Sequence, residues 1–236
     1  MWPNLALTCG WIWHADAMRS AEPTLDQLEA LFRRYPQETA DASLEALREA
    51  TGGVLDLDSP QHRCDLLHWL NKWLCRIRYP REGEPDLFGE SLAAWHGEYP
   101  GLPASPVVDL GPAQIDILAD AYSALAKRAA TPRRTIGPTA ASKILFVLRP
   151  ETVPPWDRQI ARRTVGGITG AHFAAHLTQA QAWATAILAD AAARGIADVP
   201  AHVGRPTSSL AKIWDEWHYL TITRAVESPK DVYRPG

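Results

Sequence analysis

Cysteine is scarce in this chain of 236 residues: Cys9, Cys64 and Cys75 are odd in number, widely separated, and never paired as CxxC. That usage predicts a reduced, cytoplasmic protein without a disulfide framework or a cysteine-ligated metal. Positive charge is also lacking in bulk. The 24 Lys and Arg are outnumbered by 27 Asp and Glu, for a net charge of -3, so attraction of nucleic acid by overall charge is excluded, although a local basic face is not. Long hydrophobic runs are missing too. Residues 164–189 contain no Asp, Glu, Lys or Arg, yet they hold three Gly, two His, two Gln and four Thr, which argues against a membrane span. The N-terminal MWPNLALTCGWIWHADA is apolar but lacks the basic region and cleavage site of a secretory signal. No run of alternating strand pattern and no internal repeat is visible.

What the sequence has is helical periodicity, which predicts an all-α fold. Leu66, Leu67, Leu70, Trp73, Leu74 and Ile77 form one apolar stripe, opened by Ser59 as a cap and Pro60 in the first turn. Further helices are predicted near 24–34, 41–51, 112–129, 138–149, 157–165, 178–194 and 207–219. Six Pro and five Gly between 79 and 112 predict a long irregular connection.

Charge is concentrated. Residues 127–163 carry nine basic side chains against Glu151 and Asp157, a local +7 that leaves -10 for the rest. Such asymmetry points to an anionic partner. Within this stretch, Gly137 and Pro138 open a helix whose free amides and positive dipole end suit a phosphate, flanked by Arg133 and Arg134. Asp157 follows a Pro-rich turn where the next helix starts. There it is equally an N-cap and a candidate catalytic carboxylate, since capping favours the ionised form that a cationic transition state requires.

The segments Thr135-Ile136-Gly137-Pro138-Thr139-Ala140-Ala141 and Trp156-Asp157-Arg158-Gln159-Ile160 resemble the helix-hairpin-helix DNA glycosylase superfamily. That group carries a hairpin of the type L-P-G-V-G-x-K-T-A, a hydrophobic helix, a proline-containing loop, and an Asp in a V-D-T-H-V-like segment. Ile136-Gly137 matches the final V-G, Ala140-Ala141 the T-A, and the twenty-residue interval from Gly137 to Asp157 matches without gaps. The resemblance covers about 131–163. Thr135 replaces the first hairpin Gly, Thr139 replaces the Lys that bifunctional members use as nucleophile, and the C-terminal cysteines of iron-sulfur members are absent. The resemblance therefore implies a divergent, monofunctional branch without a cluster, and no cofactor is expected.

Family architecture implies two helical lobes with a cleft between them, one from 22–149 including a hairpin at about 131–149, the other combining 1–21 with 150–236. The implied function is hydrolytic excision of a damaged or modified base from double-stranded DNA, in repair or against modified foreign DNA, by a monomer. Asp157 would be catalytic, Arg133, Arg134, Thr135, Gly137, Thr139 and Lys143 would contact DNA, and Trp156, Trp11 and Trp13 would line a base pocket. A displaced Lys143 nucleophile is the alternative to the monofunctional assignment. His172 and His176 stand four residues apart but have no evident third ligand, so no metal is expected. The alternatives are a non-catalytic helix-hairpin-helix module that binds nucleic acid and a helical protein-interaction domain.

Overall fold

The computed structural model describes residues 22–36 and 42–225. Trp11 and Trp13 lie outside them. The described chain is predominantly helical: α1 Leu25–Arg34, α2 Ala42–Ala50, α3 Pro60–Lys72, α4 Leu87–Glu98, α5 Pro112–Lys127, α6 Pro138–Leu148, α7 Arg158–Thr164, α8 Gly170–Ala193, α9 Val199–His202 and α10 Leu210–His218. A π-helical turn, Tyr219–Thr223, continues α10.

The helix starts follow from capping chemistry. Thr24 and Gln27 form a reciprocal capping box on α1, while Ser59 accepts the His62 amide at 3.3 Å with Pro60 in the first turn of α3. Each helix then buries an apolar stripe. Leu25, Leu28, Leu31 and Phe32 of α1 are fully enclosed, and α1 packs on α8, where the Trp183 indole donates to the Pro23 carbonyl at 3.0 Å. α8 also packs along α5, and the buried residues from Leu25 to Leu220 form one contiguous cluster.

Three expectations are corrected. The 79–112 connection contains α4, because Asp86 caps it through the Gly89 amide at 3.0 Å and Phe88, Leu92 and Trp95 are buried. Gly89 is no breaker here: a Cβ at that position would sit 2.2 Å from the capping carboxylate. Second, α8 begins at Gly170, well before 178. Third, α3 stops at Lys72, because Leu74 adopts a left-handed φ of 60° and the Cys75 amide reaches back to the Leu70 carbonyl at 3.0 Å. Leu74 is therefore 73% exposed and leaves the apolar stripe.

A short antiparallel hairpin, β1 Ala129–Thr131 and β2 Arg134–Thr135, separates α5 from α6. No strand pattern announced it, since two and three residues are too few to alternate. Gly137 follows it with φ 82° and ψ 164°, a backbone region open only to glycine, and there α6 begins. Thr135 lies in β2, where no left-handed conformation is needed, so the hairpin tolerates its side chain.

Candidate active site

Asp157 caps α7 with both oxygens engaged. Oδ1 accepts the amides of Gln159 at 2.7 Å and Ile160 at 2.8 Å, and Oδ2 accepts the Thr223 hydroxyl at 2.8 Å. The side chain is half-buried. A carboxylate offers about four lone-pair positions, so one on Oδ2 is left for a ligand.

Ser142 ties this cap to α6. Its fully buried hydroxyl donates to the Trp156 carbonyl at 3.0 Å and accepts the Trp156 amide at 3.3 Å. The residue before Asp157 is thus pinned to the residue before Lys143, which brings the two charged groups into electrostatic contact although they are fourteen positions apart.

Lys143 is only 8% exposed, and its Nζ donates to the Trp73 carbonyl at 2.8 Å while lying 4.8 Å from the Trp73 ring centre. Burial pushes its pKa below the ordinary lysine value, an effect opposed by Cys75, Asp215 and Asp157 and assisted by Lys212. Lys212 of α10 lies 5.1 Å from the same ring and contacts Asp215 at 2.7 Å. Burial pushes the Asp215 carboxyl upward and Asp157 adds to that, while Lys212 and Lys143 oppose it. The result is a buried network of both signs behind Asp157.

The segment after α3 covers Lys143. Trp73 is anchored through its indole nitrogen to Ser43 Oγ at 3.0 Å, and Asn71 brackets Ile77 with two hydrogen bonds of 2.8 Å. Arg134 donates to the carbonyls of Arg76 at 2.6 Å and Cys75 at 3.2 Å. Arg134 therefore holds this segment in place, whereas Arg133 projects from the exposed hairpin tip.

The hairpin amides are not free for a phosphate as expected. Ile136 donates to the Arg128 carbonyl at 2.8 Å and Gly137 to the Ala126 carbonyl at 3.0 Å, closing the hairpin onto the end of α5. The start of α6 has no side-chain cap, so the first-turn amides of Thr139 and Ala140 lack an intrahelical partner, and Ala140 is buried. Thr139 itself is half-buried.

Trp156 is also relocated. It is 1% exposed, with its ring edge-on to Phe173 at 5.2 Å and Tyr122 at 5.7 Å and close to His176 at 5.0 Å. Its faces are taken by core packing and offer nothing to an extruded base. His176 is fully buried, and burial, together with His218, drives its pKa down to about 3, which keeps it neutral. His172 hydrogen-bonds Thr169 at 2.6 Å instead of joining it. Among the described residues no group of three His, Cys, Asp or Glu is placed to hold a metal.

The basic stretch divides by task. Arg128 pairs with Glu98, and Arg149 donates to the carbonyls of Leu102 at 3.1 Å and Leu148 at 2.7 Å, so both serve the fold. Lys127, Arg133, Arg158, Arg162 and Arg163 remain exposed, and among the described residues none of them forms an ion pair. Three of these five lie on α7, immediately after Asp157.

Trp73, Lys212, Asp215 and Thr223 were not singled out by sequence. The only available signal was in α10, where Lys212, Asp215 and Glu216 interrupt an otherwise apolar helix carrying Ile213, Trp214 and Trp217. No protein-family model, curated protein or solved structure matches the chain. Among the described residues no helix is long and apolar enough to cross a membrane.

Proposed function

We propose that the protein is a monofunctional DNA N-glycosylase that takes a damaged or modified base out of double-stranded DNA and hydrolyses its bond to deoxyribose. The carrying observation is Asp157: a half-buried carboxylate held by three hydrogen bonds at a helix start, with exposed arginines following it. In this reading α5, the hairpin and α6 act as the helix-hairpin-helix, and Asp157 lies in the cleft between two helical lobes. The enzyme works in the cytoplasm as a monomer.

The chemistry needs what such a carboxylate supplies. As the C1′–N bond breaks, its electron pair leaves with the base and positive charge grows on the sugar. The open lone pair of Asp157 Oδ2 stabilises that charge, then orients the water whose oxygen bonds to C1′ and whose proton passes to the carboxylate. Arg133, Arg158, Arg162 and Arg163 hold phosphates, joined by the Thr139 amide at the start of α6. Extrusion of the base costs a few kcal/mol, offset by these contacts. The Nζ of Lys143 is committed to the Trp73 carbonyl, which supports hydrolysis by water over attack by an amine.

The test is incubation with a panel of duplexes, each carrying a different damaged or naturally modified base, scored for abasic sites. The expected result is base release from at least one duplex without strand cleavage. Salt-sensitive binding of the whole panel with no release would overturn the enzymatic reading and leave a non-catalytic binding module.

A further inference from the structure

We propose that Thr223 is a positioning residue for Asp157, fixing the orientation of the oxygen that faces the developing sugar cation. The inference rests on the glycosylase reading of Asp157 and assigns it a partner 66 positions away.

The two amides of α7 both bind Oδ1. Both bonds act on one oxygen, and the terminal torsion of an aspartate is broad, so a bond to the other oxygen narrows the rotation of the whole carboxylate further. Among the described residues, the Thr223 hydroxyl supplies the one side-chain hydrogen bond to Asp157, and it falls on Oδ2 at 2.8 Å. The other groups acting on Asp157 are charges without a hydrogen bond to it: Lys143 from α6 and Asp215 from α10, the latter held by Lys212.

The backbone explains how α10 delivers this hydroxyl. After His218 the helix opens into a π turn, with the Arg224 amide reaching the Tyr219 carbonyl five positions back at 2.8 Å. Such turns re-aim side chains and recur at functional sites. Two threonines in the turn behave differently. Thr221 bonds back to the Trp217 carbonyl of its own helix at 2.7 Å, whereas Thr223 crosses to Asp157. The π turn also packs directly on α7.

The test does not require the natural base to be known. Affinity of the full chain is measured for two duplexes of one sequence, one carrying a cationic pyrrolidine ring in place of a nucleoside, the other a neutral tetrahydrofuran ring. The ratio of the two affinities reports how well the carboxylate faces a cation. Thr223→Val should lose about tenfold of that ratio, the scale of one hydrogen bond to a charged group. Its affinity for the neutral duplex should stay at the wild-type level. Thr223→Ser should restore the ratio, and Thr221→Val should leave it untouched. If Thr223→Val does not fold, Thr223→Ala is measured in its place. A wild-type ratio, or an equal loss on both duplexes, overturns the assignment of Thr223. Asp157→Asn separates the two levels: an unchanged ratio in that variant contradicts the glycosylase reading itself, whereas its loss beside an intact Thr223→Val ratio rejects Thr223 alone.

Discussion

Lys143 shows why neither burial nor pKa alone decides the role of a side chain. Its lowered pKa favours the neutral amine that a lyase step requires, yet its Nζ is hydrogen-bonded to a carbonyl and lies under the Trp73 ring. Access outweighs protonation here. Borohydride added during turnover should therefore trap no protein-DNA adduct, and the abasic strand should stay intact. An adduct that vanishes in Lys143→Ala would contradict the monofunctional reading. Trp156 carries the complementary lesson: adjacency to Asp157 in sequence suggested a pocket wall, but the Ser142 hydrogen bonds turn its backbone toward α6 and its ring into the core.

At the scale of elements, Gly137 marks where the hairpin becomes α6. A Cβ there would meet nothing closer than the Thr135 carbonyl oxygen at 3.9 Å, so space is not the constraint and the backbone dihedrals are. Gly137→Ala should destabilise the fold by about 1–3 kcal/mol, read as a lower denaturant midpoint at unchanged slope. A neutral substitution would show that the turn adapts. Much at this scale was legible in the sequence. The cap at Ser59 and the Gly137 break are local chemistry and were visible as such, whereas the Thr24 capping box emerged only with the structure. What escaped depended on tertiary choice: α4 looked like a broken loop because Gly89 and Gly97 sit inside it, and α3 looked longer because Leu74 carries the right periodicity but leaves the helix in a left-handed turn. In the site, the Gly137 to Asp157 interval pointed to the carboxylate, and the position one helical turn after Thr139 pointed to Lys143. Trp73 and Thr223 join them from 84 residues upstream and 66 downstream of Asp157, and no spacing rule connects such positions.

For the whole molecule, the glycosylase reading requires a chain of net negative charge to engage DNA through a face where cations stand without acids. Arg158, Arg162 and Arg163 on α7 and Arg133 at the hairpin tip are exposed and, among the described residues, form no ion pair, while Arg134 is occupied by the segment covering Lys143. Replacing any one of the four by Ala should weaken binding about equally across sequences and reduce the salt slope by about one. Unchanged slopes in all four variants would remove this face from the interface.

On the glycosylase reading, Asp157 performs chemistry and does not merely cap α7. Single-turnover base release, measured beside DNA affinity in wild type and Asp157→Asn, tests it most directly. The asparagine keeps an oxygen for the α7 amides and so preserves the cap, while the charge is lost. The expected result is a loss on the order of 100-fold or more in release, with DNA affinity within a few-fold of wild type. Near-normal release from the variant would contradict it.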